Sequence, residues 1–272
     1  MRRKPISLEI VIDESLSEPN WHQLIADYER IHLRLDPLRR VRFDTILDMM
    51  GANLPRNFAA LDLGCGPGSL TMMMLERFPD ARVAMVDHDF VLPGVGKEAL
   101  ARFGNRVHVL LLDLSKKGWE KDLPFKKVDA VVTSLAFHDL NPGVVKELYN
   151  TVFRILRKGG LLMNSDGILN GGKEPQIDGI LEKVRDAQIQ RGYRVSRQVF
   201  LKELKDWWKP IRKFGPLQQA IARRDEIVRK WQPQKLTMNM PSHLRALNKS
   251  GFREVRVVWQ VPGSACILVA VK

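Results

Sequence analysis

The chain has 272 residues, a hydrophobic content of 44% and a charged content of 28%. These values predict a soluble globular protein with one large core or a core plus a subdomain, and no apolar run approaches the length of a membrane span. Residues 5–13 lack the apolar core of a secretory signal. The two cysteines, Cys65 and Cys266, exclude a disulfide framework and predict a reducing, cytoplasmic location.

The net charge of +13 is concentrated in one region. Residues 171–250 hold 18 Lys or Arg and 8 Asp or Glu, so this segment carries +10 of the excess. A nucleic acid is one possible partner of such a segment, because basic grooves bind phosphates. A basic surface alone does not read a nucleic acid sequence, so the charge by itself identifies no substrate.

Residues 1–52 are predicted to form an N-terminal arm and cover helices. Apolar residues alternate at positions 6, 8, 10 and 12, which is typical of a half-buried strand. Such a strand would pair outside the main sheet, for example in a homodimer, and a mobile arm within residues 1–19 is the open alternative. Helices are predicted over residues 21–33 and from residue 37 to about residue 50.

A glycine-rich loop follows the first strand signal. Residues 58–63 form an apolar run typical of a buried strand, and residues 70–78 predict a helix. Between them, Gly64, Gly66 and Gly68 let the backbone turn tightly and approach a ligand closely. The helix N-terminus adds unpaired N–H groups, so this stretch predicts a cofactor-binding loop.

The loop differs from two common nucleotide-binding motifs. Ser69 stands where a dinucleotide loop has the last glycine of G-x-G-x-x-G, and the P-loop pattern G-x-x-x-x-G-K-[ST] does not occur in the sequence. Asp62 precedes the loop as a carboxylate that suits a positively charged ligand group. The stretch resembles motif I of the class I S-adenosylmethionine-dependent methyltransferases, an acid followed by x-G-x-G-x-G. The resemblance implies cofactor contacts from Asp62, Gly64, Cys65, Gly66 and Gly68.

Each of the next two predicted strands has an acidic residue at or directly after its end. Asp87 ends the second strand 21 residues beyond Gly66, where a carboxylate holds a ribose. His88 follows as a candidate to flank the adenine. Asp113 follows the third strand, and the family resemblance implies that it accepts a hydrogen bond from the adenine amino group. The backbone N–H of the next residue, Leu114, is implied to contact a ring nitrogen.

The fourth predicted strand, residues 128–134, ends at Ser134 and leads into Phe137 and His138. Ligands of open parallel sheets lie outside the carboxyl ends of the strands. We therefore expect Ser134 and Phe137 to border the cofactor, and Phe137 and His138 to face the methyl group. This stretch resembles motif IV of small-molecule methyltransferases.

His138 is the first candidate for a general base, with His243 and Asp166 as further candidates. A base helps only if the nucleophile starts protonated, because the sulfonium already activates the methyl group. A pocket wall that only orients the substrate is the open alternative for His138. The scattered His and Cys residues show no metal-ligand spacing.

Residues 169–240 are predicted to form a helical insert. The resemblance implies that this insert is a substrate lid. It also implies that the N-terminal helices cover the cofactor, which makes Tyr28, His32 and Arg34 candidates for lid contacts. The preferred alternative is that Tyr28 belongs to the core and that the other two lie on the surface. The aromatic residues of the insert either line a pocket or form its own small core. They are Trp207, Trp208, Phe214 and Trp231.

The predicted fold class is α/β: a Rossmann-like, doubly wound, seven-stranded sheet with an antiparallel C-terminal strand, plus the helical lid. Residues 53–168 form the predicted cofactor-binding core, and residues 241–272 add a final helix and hairpin. The resemblance implies S-adenosylmethionine as cofactor and methyl transfer to a small organic acceptor at O, N or C. The alternatives are RNA methylation through the basic insert, a carboxy-S-adenosylmethionine-type function and non-catalytic cofactor binding. The second is suggested by the similarity of residues 259–272 to carboxy-S-adenosylmethionine synthase.

Overall fold

The computed structural model describes residues 18–167, 175–230, 238–261 and 265–272. The alternating pattern near the N-terminus, Trp231 and the turn at residues 262–263 lie outside these ranges. The helices are α1 (Trp21–Leu35), α2 (Arg39–Asn53), α3 (Ser69–Arg77), α4 (Leu92–Ala99), α5 (Pro142–Ile155), α6 (Pro175–Gln190), α7 (Arg197–Lys213), α8 (Gln218–Lys230) and α9 (Met240–Ser250). Among the described helices, none is both long enough and apolar enough to cross a membrane.

The strands form a seven-stranded sheet in the order β3-β2-β1-β4-β5-β7-β6. They are β1 (Ala59–Leu63), β2 (Arg82–Asp87), β3 (Val107–Leu111), β4 (Val128–Ser134), β5 (Leu156–Asp166), β6 (Glu254–Gln260) and β7 (Cys266–Val271). Neighbours from β3 to β5 pair in parallel, and β7 runs antiparallel to both β5 and β6. The predicted doubly wound sheet with an antiparallel C-terminal strand is confirmed.

Two apolar cores cover the two faces of this sheet. One contains Leu148 of α5 and Leu247 of α9, and the other contains Phe43 of α2 and Met74 of α3. Strand β1 is buried along its whole length, as expected for a parallel strand covered on both faces. The result is a helix–sheet–helix sandwich that brings the ends of β1 to β4 to one edge.

A third core joins the insert to the N-terminal helices. Ile25 of α1, Val95 of α4, and Trp207 and Ile211 of α7 belong to it. The indole Nε1 of Trp207 donates a hydrogen bond to the carbonyl of Leu24 at 2.7 Å. Trp208 and Phe214 are buried in the same cluster, so the insert aromatics form a core, but a core shared with α1 and α4.

Two of the later elements contain residues that commonly end a helix. Helix α5 passes directly into β5, so the pair Gly159-Gly160 lies inside the strand and is not a helix C-cap. The N–H of Gly159 donates to the carbonyl of Lys272 at 2.8 Å, which ties this part of β5 to the end of the chain. Pro210 lies within α7, where burial of Ile211 offsets the cost of a helix-interior proline, about 3 kcal/mol.

Candidate cofactor and active site

A cavity of about 480 Å³ opens at the carboxyl ends of β1 to β4. The turns after β1 and β2 contribute Gly64, Cys65, Gly66, Asp87 and His88. The turns after β3 and β4 contribute Asp113, Leu114 and Ser134. Eight predicted cofactor residues from four separate strand ends therefore border one space.

The three loop glycines adopt positive φ angles for different reasons. A Cβ atom on Gly64 would lie 2.3 Å from the Cβ of Ala136, and one on Gly68 would lie 2.5 Å from the Cε of Met85. At Gly66 the nearest atom to such a Cβ is the Tyr28 hydroxyl at 3.8 Å. Gly64 and Gly68 thus permit close packing of the loop, whereas Gly66 faces α1 across open space.

Asp87 connects the end of β2 to the glycine loop. Its Oδ2 accepts the backbone N–H of Gly66 at 2.8 Å, and its Oδ1 accepts the N–H of Asp89 at 2.9 Å. Burial raises the pKa of Asp87. Each carboxylate oxygen has further acceptor capacity, so the group can bind two hydroxyls of a ribose while it holds the loop.

Asp62 and Gly68 lie behind the loop, outside the cavity lining. The Thr71 hydroxyl donates to Asp62 Oδ2 at 2.7 Å, and burial raises the pKa of Asp62 to about 6. Asp62 therefore ties the end of β1 to the first turn of α3. Asp62 contacts α3 and Gly68 packs against Met85, so neither residue lines the cavity, and contact of either with the cofactor stays a prediction.

The polypeptide makes an unusual turn after β4. Leu135 has a φ of +54°, a conformation that a non-glycine residue seldom adopts and that is found at functional sites. Phe137 follows in the apolar core at 2% exposure, with its ring centroid 6.1 Å from that of Tyr149. Phe137 is absent from the cavity lining, and its contact with the cofactor stays a prediction. Asp139 and Leu140 lie in the cavity wall instead.

His138 is held by Asp166, which ends the neighbouring strand β5. Nδ1 of His138 lies 2.7 Å from Asp166 Oδ1, and the hydrogen bond and charge of this carboxylate raise the pKa of the imidazole. The side chain of His138 is 42% exposed and lies beside Asp139 of the cavity wall, although His138 is not itself a lining residue. His243 is buried, with Nδ1 2.6 Å from the Tyr149 hydroxyl, and burial lowers its pKa to about 4. Of the three candidate bases, His138 and Asp166 come together and His243 lies in the core.

Helix α1 covers one side of the cavity with two of its three predicted residues. Tyr28 and His32 line the cavity with ring centroids 3.9 Å apart. Burial raises the pKa of Tyr28 to about 12 and lowers that of His32 to about 4, so both rings are neutral at pH 7. Arg34 points elsewhere and pairs with Glu203 of α7. Arg39 of α2 also lines the cavity, and no motif in the sequence marked it.

An ion pair connects the insert to the cavity wall. Nε of Arg224 in α8 donates to Asp89 Oδ2 at 2.6 Å, and its guanidinium lies 4.1 Å from the ring centroid of Trp208. Asp89 Oδ1 accepts the N–H groups of Val91 and Leu92 at the start of α4. Asp89 therefore lines the cavity and contacts both α4 and the insert.

Comparison with known proteins agrees with this geometry. Residues 60–160 match a family described as a methyltransferase domain. The malonyl-[acyl-carrier protein] O-methyltransferase of Acetivibrio thermocellus is 32% identical over 127 residues, which are 46% of this chain and 39% of that protein. The carboxy-S-adenosyl-L-methionine synthase of Campylobacter lari is 25% identical over 115 residues, 42% of this chain and 47% of that protein. The chain spans less than half of the length of either relative.

A solved structure shares the fold. The crystal structure of a putative O-methyltransferase from Nostoc punctiforme has a TM-score of 0.57 at 14% identity, over 97% of this chain and 64% of that chain. At this identity the likeness shows the fold alone. The family match begins within β1 and ends within β5, so it includes all four strand ends that form the cavity. The strand ends that form the cavity therefore lie in a part of the chain that is similar in sequence to a methyltransferase domain.

Proposed function

We propose that this protein binds S-adenosylmethionine in the cavity and transfers its methyl group to a small organic acceptor with an O, N or C nucleophile. One observation carries the proposal: Asp87 accepts the Gly66 N–H at 2.8 Å and borders the same cavity as Asp113. The same cavity therefore has a carboxylate that can accept the ribose hydroxyls, a glycine loop with open space and a second acidic residue. The volume of about 480 Å³ lies within the range of small-molecule sites.

Each part of the cavity takes one part of the cofactor in this proposal. Asp87 accepts the ribose hydroxyls, and Asp113 with the Leu114 backbone binds the adenine. The loop at Gly66 leaves space for the ligand to approach the backbone. The neutral rings of Tyr28 and His32 cover the site and exclude water.

The cofactor supplies an activated methyl group, and the protein supplies position and a proton acceptor. Holding the reacting groups in line contributes on the order of 7–11 kcal/mol. With Asp166 ionised, the Nδ1–H of His138 donates to it, which leaves Nε2 as the atom that accepts a proton from a hydroxyl or amine. For a nucleophile that arrives deprotonated, His138 acts only as an orienting wall.

RNA methylation remains the second function to test. Part of the positive charge of the insert is paired within the insert, as in Arg212–Asp225 at 2.7 Å and Lys209–Asp206 at 2.6 Å. The excess of +10 already subtracts these acids, so the segment keeps a net positive charge. A small acceptor is the preferred substrate class because a basic surface alone does not read a nucleic acid. A cytoplasmic location is part of the proposal and rests on the low cysteine content.

Calorimetric titration with S-adenosylmethionine and S-adenosylhomocysteine tests the cofactor site. We expect micromolar binding that Asp87→Asn weakens at least tenfold, because the variant loses the charged acceptor of the ribose. Asp80→Asn is the matched control, since Asp80 is exposed and precedes the opposite end of β2. No binding of either ligand, or equal binding by both variants, would overturn the assignment. Methyl transfer is then assayed on small molecules and on RNA, and labelling of RNA alone would reverse the choice of substrate.

A further inference from the structure

Arg39 brings a positive charge to an otherwise acidic cavity. Its side chain is 7% exposed and lines the space below Tyr28 and His32. Among the described cavity-lining residues, it is the only Lys or Arg, whereas four are Asp. Burying a guanidinium is costly unless it is paired, so its presence at this wall requires partners.

One partner is Glu29 of α1, and this pair fixes the orientation of the guanidinium. Glu29 oxygens accept from Arg39 Nε at 3.1 Å and from Nη2 at 2.8 Å. The Arg39 Cζ lies 4.5 Å from the ring centroid of Phe43. These contacts use the Nε and Nη2 side of the planar group. The N–H groups of Nη1 lie outside the ion pair and are donors of the geometry that carboxylates accept.

Arg39 lies at the end of the cavity opposite the predicted adenine site. Its partner Glu29 follows Tyr28 on α1, and the Tyr28 hydroxyl lies 3.8 Å from the position of a Cβ on Gly66, in the loop after β1. The guanidinium therefore lies on the β1 side of the cavity. Asp113 and Leu114 follow β3, on the far side of β2 in the sheet order β3-β2-β1-β4. A cofactor with its adenine at β3 and its ribose at Asp87 therefore extends its amino acid toward β1, where Arg39 lies.

The charges of the cofactor match this arrangement. The sulfonium and the amino group of S-adenosylmethionine are cations, and its carboxylate is its single anionic group. We propose that Arg39 binds this carboxylate through Nη1, so that α2, which lies outside the matched methyltransferase domain, sets the affinity for the methionine part of the cofactor. This inference rests on the proposed cofactor site. Binding of an acceptor carboxylate by Arg39 is the alternative outcome of the test.

The test compares two ligands that differ by the amino acid. S-adenosylhomocysteine carries the carboxylate, and 5′-methylthioadenosine keeps the nucleoside and sulfur without it. We expect Arg39→Gln to weaken S-adenosylhomocysteine binding by about tenfold to a hundredfold and to leave 5′-methylthioadenosine binding unchanged. Arg40→Gln is the matched control, because Arg40 is the next residue of α2 and its side chain is 64% exposed. It should leave both affinities unchanged.

Additional variants keep the test decisive. Because Arg39→Gln strands the Glu29 carboxylate, the double variant Glu29→Gln/Arg39→Gln removes both charges together and should show the same ligand selectivity. Equal weakening of both ligands in the double variant, or no weakening of S-adenosylhomocysteine, would overturn the inference. A raised KM for the acceptor at unchanged cofactor affinity would also overturn it by assigning the arginine to the substrate. Failure of wild type to bind either ligand would overturn the cofactor site itself, a distinguishable result.

Discussion

Both carboxylate oxygens of Asp166 contact His138. Oδ1 lies 2.7 Å from Nδ1 of the ring, and Oδ2 accepts the backbone N–H at 3.0 Å. Asp166 ends β5, and His138 follows the adjacent strand β4, so parallel pairing of the two strands brings the groups together. The Asp166 side chain is 2% exposed while that of His138 is 42% exposed, which leaves the far side of the ring accessible.

The pH dependence of methyl transfer tests His138 as a base. Hydrogen bonding to Asp166 raises the pKa of His138 above its ordinary 6.5, and only the neutral ring accepts a proton, so the rate should fall as pH drops through this raised pKa. We expect His138→Gln to lower kcat by about 10²–10⁴-fold. Asp166→Asn should shift the acid limb to lower pH.

His22→Gln is the control for these profiles, because His22 is exposed on α1. An unchanged kcat and an unchanged acid limb in His138→Gln would leave His138 as a wall that only orients the acceptor.

The His138–Asp166 pair should also make the unfolding free energy of the ligand-free protein depend on pH. A histidine with a raised folded-state pKa binds its proton more tightly in the folded protein. Its stabilisation is fully present below pH 6.5 and is lost as pH rises through the folded-state pKa. Denaturant titrations of wild type and His138→Gln should therefore differ more at pH 5.5 than at pH 8.5. A larger difference at the higher pH would contradict the raised pKa.

Thr71→Val tests the link between Asp62 and α3. The variant removes the hydroxyl that donates to Asp62 at 2.7 Å, and we expect a loss of about 1–3 kcal/mol in unfolding free energy at pH 7.5. Because the folded-state pKa of Asp62 is about 6 against an ordinary 3.8, the wild type loses stability as pH rises through this window. The loss should extend to higher pH in Thr71→Val.

Thr45→Val is the matched control, because the Thr45 hydroxyl donates only to the carbonyl of its own helix at Val41. Equal losses in both variants, measured by denaturant unfolding, would show that the hydroxyl on Asp62 has no special role.

Gly64→Ala separates steric contact from backbone conformation. A Cβ on Gly64 would lie 2.3 Å from that of Ala136, whereas one on Gly192 would have no atom within 4 Å. Both glycines have positive φ, +70° and +73°. We expect Gly192→Ala to cost about 1–2 kcal/mol from conformation alone. Gly64→Ala should cost about 1–3 kcal/mol more from overpacking.

Thermal and denaturant unfolding of the two variants measure this difference. If the two substitutions cost the same, the close approach of the loop to the turn after β4 is not a constraint on the fold.

Arg224→Gln tests the connection between the insert and the cavity wall. The Arg224 side chain is 20% exposed and pairs with Asp89, so its loss should free α8 and weaken cofactor binding. We expect faster proteolysis within residues 175–230 and a lower affinity for S-adenosylhomocysteine. Arg212→Gln is the control, because Arg212 pairs with Asp225 inside the insert. Similar proteolysis of both variants would contradict a specific role for the Asp89 contact.

The sequence alone determined the cofactor core. The glycine loop, Asp87 and Asp113 each follow a strand whose apolar pattern is local, and parallel strands bring their carboxyl ends to one edge whatever the rest of the chain does. Eight predicted residues therefore border the same cavity. Local periodicity also predicted the N-terminal helices, because their apolar residues recur on one face of each helix.

The tertiary structure decided which side chains face the cavity and what covers it. Asp62 and Phe137 sit in motif positions, yet one bonds Thr71 and the other is buried against Tyr149. Arg39 carries no motif and faces the cavity because α2 packs beside α1. The packing of α1 against the insert depends on contacts such as the hydrogen bond from Trp207 to Leu24, which are far apart in the sequence. Such long-range packing leaves no local periodicity, so only the folded chain reveals it.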